Sequence, residues 1–505
     1  MKFSGERVIR QFDFTSKSFL RQAFTFLAVV AVVGLAAIGA SAQQKSEPLS
    51  KVVRLNRAPV NKEVLKVELP KPAVVTLPNG LTVLLLENHK LPTVAFSLWI
   101  RPGQLADPND LPGLASFTAD MLKEGTARRT SEQIATEVDS LGASLDAGSR
   151  FGASYTSVTA SGLIDSAPQI LDLMSDVVLH PAFPADELAK YKQRALADLE
   201  QNISSPGFLA QQAFRKVLYG EPPLSVTSAT KESVQSVTSE ELRRFHDRHY
   251  LPGNSIFGAT GDFKTDDMKA MIEKYFGGWT GGAEPPMSLP KTTEAQPSKI
   301  TLVDRPGSVQ TYIISGDRGI RRADPEFYAL TVMNRIVGGG PQARLFLDLR
   351  EAHGYTYGAF SSFSSDIYSG AWAAVSPVRT PVTDGAMTQF VYEFKKINDE
   401  PVPQEELSES ERAIIAGFAL SLEQPQQILN AWLTVKEFGL PMDYWDKYPG
   451  HIGAVTAADV QAVAKKYVDL AHLQWVCVGD RKQIESVLKK YGPVTVVDAT
   501  GKPEN

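Results

Sequence analysis

The sequence predicts an α+β protein built from two homologous α/β domains, each a mixed, mainly antiparallel sheet with helices. Three observations lead there. First, 505 residues with 43% hydrophobic content form a soluble globular composition, too long for one ordinary core. Second, strand-like and helix-like segments alternate along the chain. Third, one pattern occurs twice. "VTSEELRRFHDRHYLPGNSIFGATGD" opens at Val237-Thr238 and closes at Gly261-Asp262. "VTAADVQAVAKKYVDLAHLQWVCVGD" opens at Val455-Thr456 and closes at Gly479-Asp480. Val237 to Val455 and Asp262 to Asp480 are both 218 residues apart. Leu242 and Phe245 fall on Val460 and Val463, so the helical apolar stripe is kept. Each unit is followed by a further helix closing in Lys274-Tyr275 or Lys490-Tyr491. A Thr N-cap, a helix and an apolar strand running into a Gly-Asp turn form one supersecondary unit, used twice.

Composition excludes several classes. The net charge of −5 is mild and there is no dense Lys/Arg block, so nucleic acid is not an expected partner. A single cysteine, Cys477, rules out an intrachain disulfide framework. It lies in the apolar run "LQWVCVGD" and reads as a buried, inert thiol.

Residues 1–42 read as a targeting segment. Lys2, Arg7, Arg10, Lys17 and Arg21 form a positive region, "AFTFLAVVAVVGLAAIGA" an apolar run, and Ala40-Ser41-Ala42 an A-x-A site. The run is near the lower limit of about 17–25 residues for a bilayer span. A cleaved signal peptide is favoured over an uncleaved anchor. The mature chain then begins near Gln43 on the periplasmic or extracellular side. A membrane is a partner only if the segment stays in place.

The elements follow in order. Residues 43–65 are a polar spacer and 66–280 the first domain. "AVVTLPNGLTVLLLEN" holds two β-rich runs around Pro78-Asn79-Gly80, which is hairpin chemistry. "LASFTADMLKEG", "TSEQIATEVDSLG" and "SAPQILDLMSDVVLH" are amphipathic helices. "SLDAGSRFGASYTSVTASG" reads as paired strands and "ADELAKYKQRALADLEQNI" as a long helix. Residues 281–298, "GGAEPPMSLPKTTEAQPS", carry Gly-Gly, four prolines and no core periodicity, and read as a flexible linker. Residues 299–495 form the second domain and 496–505 a tail. Gly338-Gly339-Gly340 lacks the Gly-Lys-Ser/Thr ending of a phosphate loop and reads as a turn before the "ARLFLDLRE" helix.

Three stretches carry a resemblance: "LPNGLTVLLLENHKLPTVAFSLWIRPG", "GLASFTADMLKEGT" and, in the second half, "GGGPQARLFLDLREAHGYTYGAFSSF". They resemble the pitrilysin/insulinase family of zinc peptidases, which includes the mitochondrial processing peptidase. The resemblance covers about residues 68–493. It implies two homologous domains facing each other like a clamshell around a peptide. It also implies an inverted zinc motif, H-x-x-E-H, on a helix of the first domain. Two His at i and i+4 share a face and ligate zinc, the Glu between them activates the bound water, and a later Glu completes three protein ligands. Here those positions are Ser116, Ala119 and Asp120. Both histidines and the base are gone. The later Glu falls near residues 195–200, where Asp198 and Glu200 stand. The stretch reads as an emptied zinc site, and no cofactor is expected in this chain. A helix that never had a function predicts the same lack of metal, and only the resemblance separates the two. Ser116 as a nucleophile with Asp120 needs a base, and no His lies within one helical turn. Of seven His, only His246 and His249 come close together, in "RRFHDRHY", and they read as a solvated helix end near a domain core rather than a metal pair.

In "LREAHGYTYGAF", Arg350 sits on the last turn of an amphipathic helix, Gly354 suits its C-cap, and Tyr357 enters a strand. The resemblance implies that an Arg and a Tyr at this spacing face the zinc across the chamber. Arg350 would grip substrate carbonyls through its forked donors and Tyr357 would donate to the tetrahedral oxyanion. Without the resemblance, an Arg near a helix C-terminus and a Tyr in a strand are ordinary. Tyr355 is a neighbouring candidate of opposite strand face, so parity decides between them. The resemblance also implies that "SLDAGSRFGASYTSVTASG" would take a peptide as an added strand beside the zinc helix.

The expectation is a zinc-free subunit of an exported heterodimeric metallopeptidase. Its partner is a homologous zinc-binding subunit and its ligands are peptides. Alone it should hydrolyse nothing. The competing expectation is a non-catalytic scaffold or peptide-binding protein of the same fold, like the respiratory-complex core proteins.

Overall fold

The computed structural model describes residues 67–285 and 296–504. The proposed signal peptide at 1–42, the spacer at 43–65 and the middle of the linker lie outside the described residues. Among the described residues, no helix is long and apolar enough to cross a membrane.

The first repeat runs β1 (Ala73–Thr76), β2 (Thr82–Glu87), β3 (Thr93–Ile100), α1 (Leu114–Met121), α2 (Ser131–Ser140), β4 (Ser144–Ser149), β5 (Thr156–Leu163), α3 (Ala167–Leu179), α4 (Ala185–Ile203), α5 (Pro206–Tyr219), α6 (Lys231–Ser236), α7 (Ser239–His249), β6 (Ser255–Gly261) and α8 (Thr265–Phe276). The second runs β7 (Lys299–Asp304), β8 (Gln310–Arg318), α9 (Phe327–Val337), α10 (Arg344–Phe346, continued as a π-turn over Leu347–Ala352), β9 (Phe360–Phe363), β10 (Ala371–Arg379), α11 (Thr383–Asp399), α12 (Gln404–Ser421), α13 (Pro425–Glu437), α14 (Tyr444–Gly453), α15 (Ala457–Tyr467), β11 (Gln474–Gly479), α16 (Arg481–Leu488) and β12 (Val494–Val497).

The two sheets have one topology. The first is ordered β1-β2-β6-β3-β5-β4 and the second β12-β7-β11-β8-β10-β9. In both, one parallel pair (β2 with β6, β7 with β11) continues into three antiparallel pairs. They differ at one edge. β1 reaches its place through the Asn79-Gly80 hairpin, with Gly80 at φ +95°, and pairs antiparallel. β12 returns from the far end of the chain and pairs parallel. The repeated unit seen in sequence is α7–β6 and α15–β11. Thr238 and Thr456 each cap their helix through a reciprocal bond pair with the residue three further on.

Each repeat lends one helix to the other. Helix α5 sets Leu209, Phe214 and Leu218 against Val303, Ile314, Val476 and Val478 of the second sheet. Helix α13 answers by packing Leu429 onto the first sheet, where Gly258 leaves room for it. A Cβ at 258 would lie 2.8 Å from Leu429 Cδ1. Pro206 and Pro425 open these helices where a missing N–H costs nothing.

Contacts also cross the expected boundaries. Leu69 is buried in the second repeat's core, its N–H bonded to Asp446, and Trp432 Nε1 donates to Pro70 O at 2.9 Å. Strand β12 ends at Val497, two residues into the expected tail. The described ends of the linker are anchored rather than loose. Glu284 meets His249 Nδ1 at 2.7 Å, and Ser298 bonds to Ala471 O and Leu473 O.

Candidate functional site

Helix α1 carries Ser116, Ala119 and Asp120. Asp107 starts it: its carboxylate accepts from Gly113 N at 2.6 Å and Ala115 N at 2.8 Å. Burial nonetheless pushes Asp107 up to about 7, against the pull of those bonds. Leu114, Phe117 and Met121 face the core. Ser116 and Asp120 are half-buried on the other side, and Ala119 is fully buried.

Asp120 is occupied by a protein partner. Tyr191 of α4 donates its hydroxyl to Asp120 Oδ2 at 2.7 Å, and the Tyr191 ring meets Phe117 edge-on. Burial raises the Asp120 carboxyl above its usual range. It also raises the Tyr191 phenol, helped by the adjacent acid. Next along, Arg194 pairs with Glu124 at 3.0 Å, and Lys123 reaches Asp146 of edge strand β4 at 3.1 Å. The expected third-ligand candidates do not join them: Asp198 and Glu200 are exposed on α4. Zinc in a catalytic site takes three protein ligands, and this helix offers one carboxylate already held by a tyrosine. The donor set does not fit zinc. Among the described residues, no group of three or more His, Cys, Asp or Glu is placed to hold a metal ion. Asp120's bond goes to Tyr191, so a Ser116–Asp120 relay has no support either.

The two close histidines are corrected in one respect. His246 and His249 are buried, not solvated. His246 Nε2 meets Val178 O at 2.8 Å, while His249 turns to Glu284. Burial lowers both from their usual value. Cys477 is buried in β11 and its thiol is pushed up to about 12, an inert setting.

Arg350 sits on the π-turn. Gly354 at φ +62° closes it, with Gly354 N bonded to Arg350 O and Tyr355 N to Leu349 O. The Arg350 guanidinium is half-exposed, 4.8 Å from the Phe346 ring centre and 3.4 Å from Glu351. Tyr357 does not enter a strand, because β9 begins at Phe360. Strand parity therefore does not distinguish the tyrosines, but their packing differs. Tyr355 is half-buried against Gly385, whereas Tyr357 is 90% exposed. The loop under Tyr357 is fixed: Thr356 Oγ1 donates to Pro377 O at 2.6 Å, and Gly358 N donates to Thr356 Oγ1 at 3.1 Å.

The pairing of "SLDAGSRFGASYTSVTASG" is as expected: β4 and β5 are antiparallel, and β4 is the edge of the first sheet, beside α1. A polar seam that sequence reasoning missed joins the repeats nearby. Ser154 Oγ donates to Glu437 Oε1 at 3.3 Å, and Arg101 Nε makes a charge contact with Glu437 Oε2 at 3.1 Å. Burial pushes Glu437 up to about 7 and raises Asp366 beside it. Tyr368 donates to Gly152 O at 2.8 Å, and Gly152 N to Gln104 Oε1 at 2.7 Å. Tyr155 stacks on Trp99 with ring centres 4.0 Å apart. No linear signal announces contacts between residues 283 apart.

Two homologous repeats with interchanged helices, and a helix with an edge strand beside it, define a class: a two-repeat, peptidase-like α/β fold. Comparison with known proteins agrees. Residues 82–225 match the model of the insulinase family (peptidase family M16), and residues 236–414 that of the peptidase M16 inactive domain. An uncharacterized zinc protease of Mycobacterium leprae is 26% identical over 408 residues, covering 78% of this chain and 88% of its own. One of Bacillus subtilis is 26% identical over 302 residues, covering 58% of this chain and 71% of its own. The peptidase M16 inactive domain from Pseudomonas fluorescens superposes with a TM-score of 0.76 at 27% identity, over 81% of this chain and 98% of that one. A protease from Helicobacter pylori shares the fold, with a TM-score of 0.74 at 17% identity, over 81% of this chain and all of that one. The chain belongs to the pitrilysin/insulinase (M16) family, and the two inactive-domain matches support a non-catalytic subunit at most.

Proposed function

We propose that this chain is the zinc-free subunit of an exported heterodimeric zinc metallopeptidase, completing a partner's active site in trans. One observation carries the reading. Asp120 at the former metal position is capped by Tyr191, while Tyr357 stands almost fully exposed on a fixed loop seven residues from Arg350. The partner, a homologue with H-x-x-E-H, holds the zinc. Arg350 binds substrate carbonyls and Tyr357 donates to the developing oxyanion. The basic and apolar segment ending in Ala40-Ser41-Ala42 supports export. The test is co-purification with the zinc-bearing homologue and assay of a Tyr357→Phe variant. Loss of activity in the complex supports the trans site. Unchanged activity leaves a scaffold role.

A further inference from the structure

A cavity of about 530 Å³ lies over the inner face of the first sheet, between β3–β5 and helix α13 of the other repeat. Its floor is hydroxyl-rich: Ser97 from β3, and Ser157, Thr159 and Ser161 from β5, all on one face because strand side chains alternate. Across it stand Gln426 and Asn430. Gln426 Nε2 donates to Asn430 Oδ1 at 3.1 Å, and Gln426 Oε1 is buried with no hydrogen-bond partner. Among the described residues, the one charged side chain lining the cavity is Arg150, exposed on the turn between β4 and β5. Among the described residues, no carboxylate lies within ion-pair distance of its guanidinium; the described ion pairs all belong to other side chains.

We propose that Arg150 makes this cavity a receptor for an acidic side chain of a bound peptide. The inference rests on the reading that the chain binds peptide. A peptide added along the free edge of β4 turns alternate side chains onto the inner face, over the hydroxyl floor. A carboxylate arriving there meets a planar guanidinium with no acid to give up. The acids around the cavity do not cancel the attraction: Asp146 of β4, opposite Thr159 and so on the same face, is paired with Lys123 at 3.1 Å. Glu437 contacts Arg101, and burial favours the neutral forms of both Glu437 and Asp366. A lysine at this position can donate to the floor hydroxyls, as a glutamate can accept from them, but it is repelled by Arg150, so the charge of Arg150 decides between the two.

The test is fluorescence anisotropy on the purified chain. The probes are fluorescein-labelled Ala/Ser dodecapeptides carrying one Glu, Gln or Lys, scanned through the central positions. The expected result is at least tenfold tighter binding of Glu than Lys at one position, abolished in Arg150→Gln and inverted in Arg150→Glu. Arg150 is exposed, and thermal melts confirm that both variants fold. Equal binding of the three peptides, or a preference that survives Arg150→Gln, overturns the charge selection while peptide binding stands. No binding of any peptide overturns the peptide reading itself.

Discussion

The Tyr191 hydroxyl donates to Asp120 Oδ2 at 2.7 Å, closing the face of helix α1 on which Ser116 and Asp120 lie. The bond is half-buried, so a lone acceptor there loses its partner without full access to water. Tyr191→Phe is expected to cost about 1–3 kcal/mol, read as a lower denaturant midpoint with unchanged slope. A double-mutant cycle with Asp120→Ala isolates the pair. A cost under a few tenths would show that the tyrosine does not seal the position.

Glu437 gives the chain a pH signature. Its carboxyl rises from 4.5 unfolded to about 7 folded, chiefly through burial. The protonated form is the one the fold favours. Its contribution is complete below about pH 4.5 and is lost as pH rises through about 7. Glu437→Gln removes that loss. The variant should match wild type near pH 5 and be more stable at pH 8, by up to about 3 kcal/mol. Asp107 titrates in the same window but is common to both proteins, so the difference in melting temperature isolates Glu437. A pH-independent difference would mean that Glu437 stays charged.

Phe214 tests the exchanged helices. It is buried among Ile314, Val476 and Val478 of the other repeat. Phe214→Ala is expected to cost about 3–5 kcal/mol through the cavity it leaves. Because α5 and α13 interlock the repeats, wild type should melt in one transition. Two transitions in wild type would show that the repeats fold independently.

Tyr357 separates catalysis from stability. Its side chain packs against little, so Tyr357→Phe should leave the melting temperature unchanged. In the complex with a zinc-bearing homologue the same variant should lower the cleavage rate tenfold or more, about 1.4–4 kcal/mol of barrier. Tyr355→Phe is the control, since Tyr355 packs inward against Gly385.

The repeat, its capped helices and its edge strands were legible because they rest on local chemistry: Thr238 and Thr456 as N-caps, Asn79-Gly80 as a hairpin turn, alternation in β4 and β5. That Ser116, Ala119 and Asp120 include no His is read directly from the sequence and needs no geometry. What the sequence hid is what distant segments do to one another. Nothing local links Tyr191 to Asp120, Glu437 to Arg101, or Leu69 to the second repeat. Tyr357 reads as a strand residue because its neighbours favour strands, yet the αL turn at Gly354 and the Thr356 bonds hold it in a loop. The histidines of α7 look solvated on a charged helix, but tertiary packing buries them.

The most direct test of the central claim is cleavage of a quenched-fluorescent peptide library by this chain alone, by its H-x-x-E-H homologue alone, and by the two together, with metal content read by mass spectrometry. Silence and no stoichiometric zinc in this chain alone, with strong cleavage in the mixture, is the predicted result. Stoichiometric zinc and cleavage in this chain alone would contradict the account of Ser116, Ala119 and Asp120 as an emptied site.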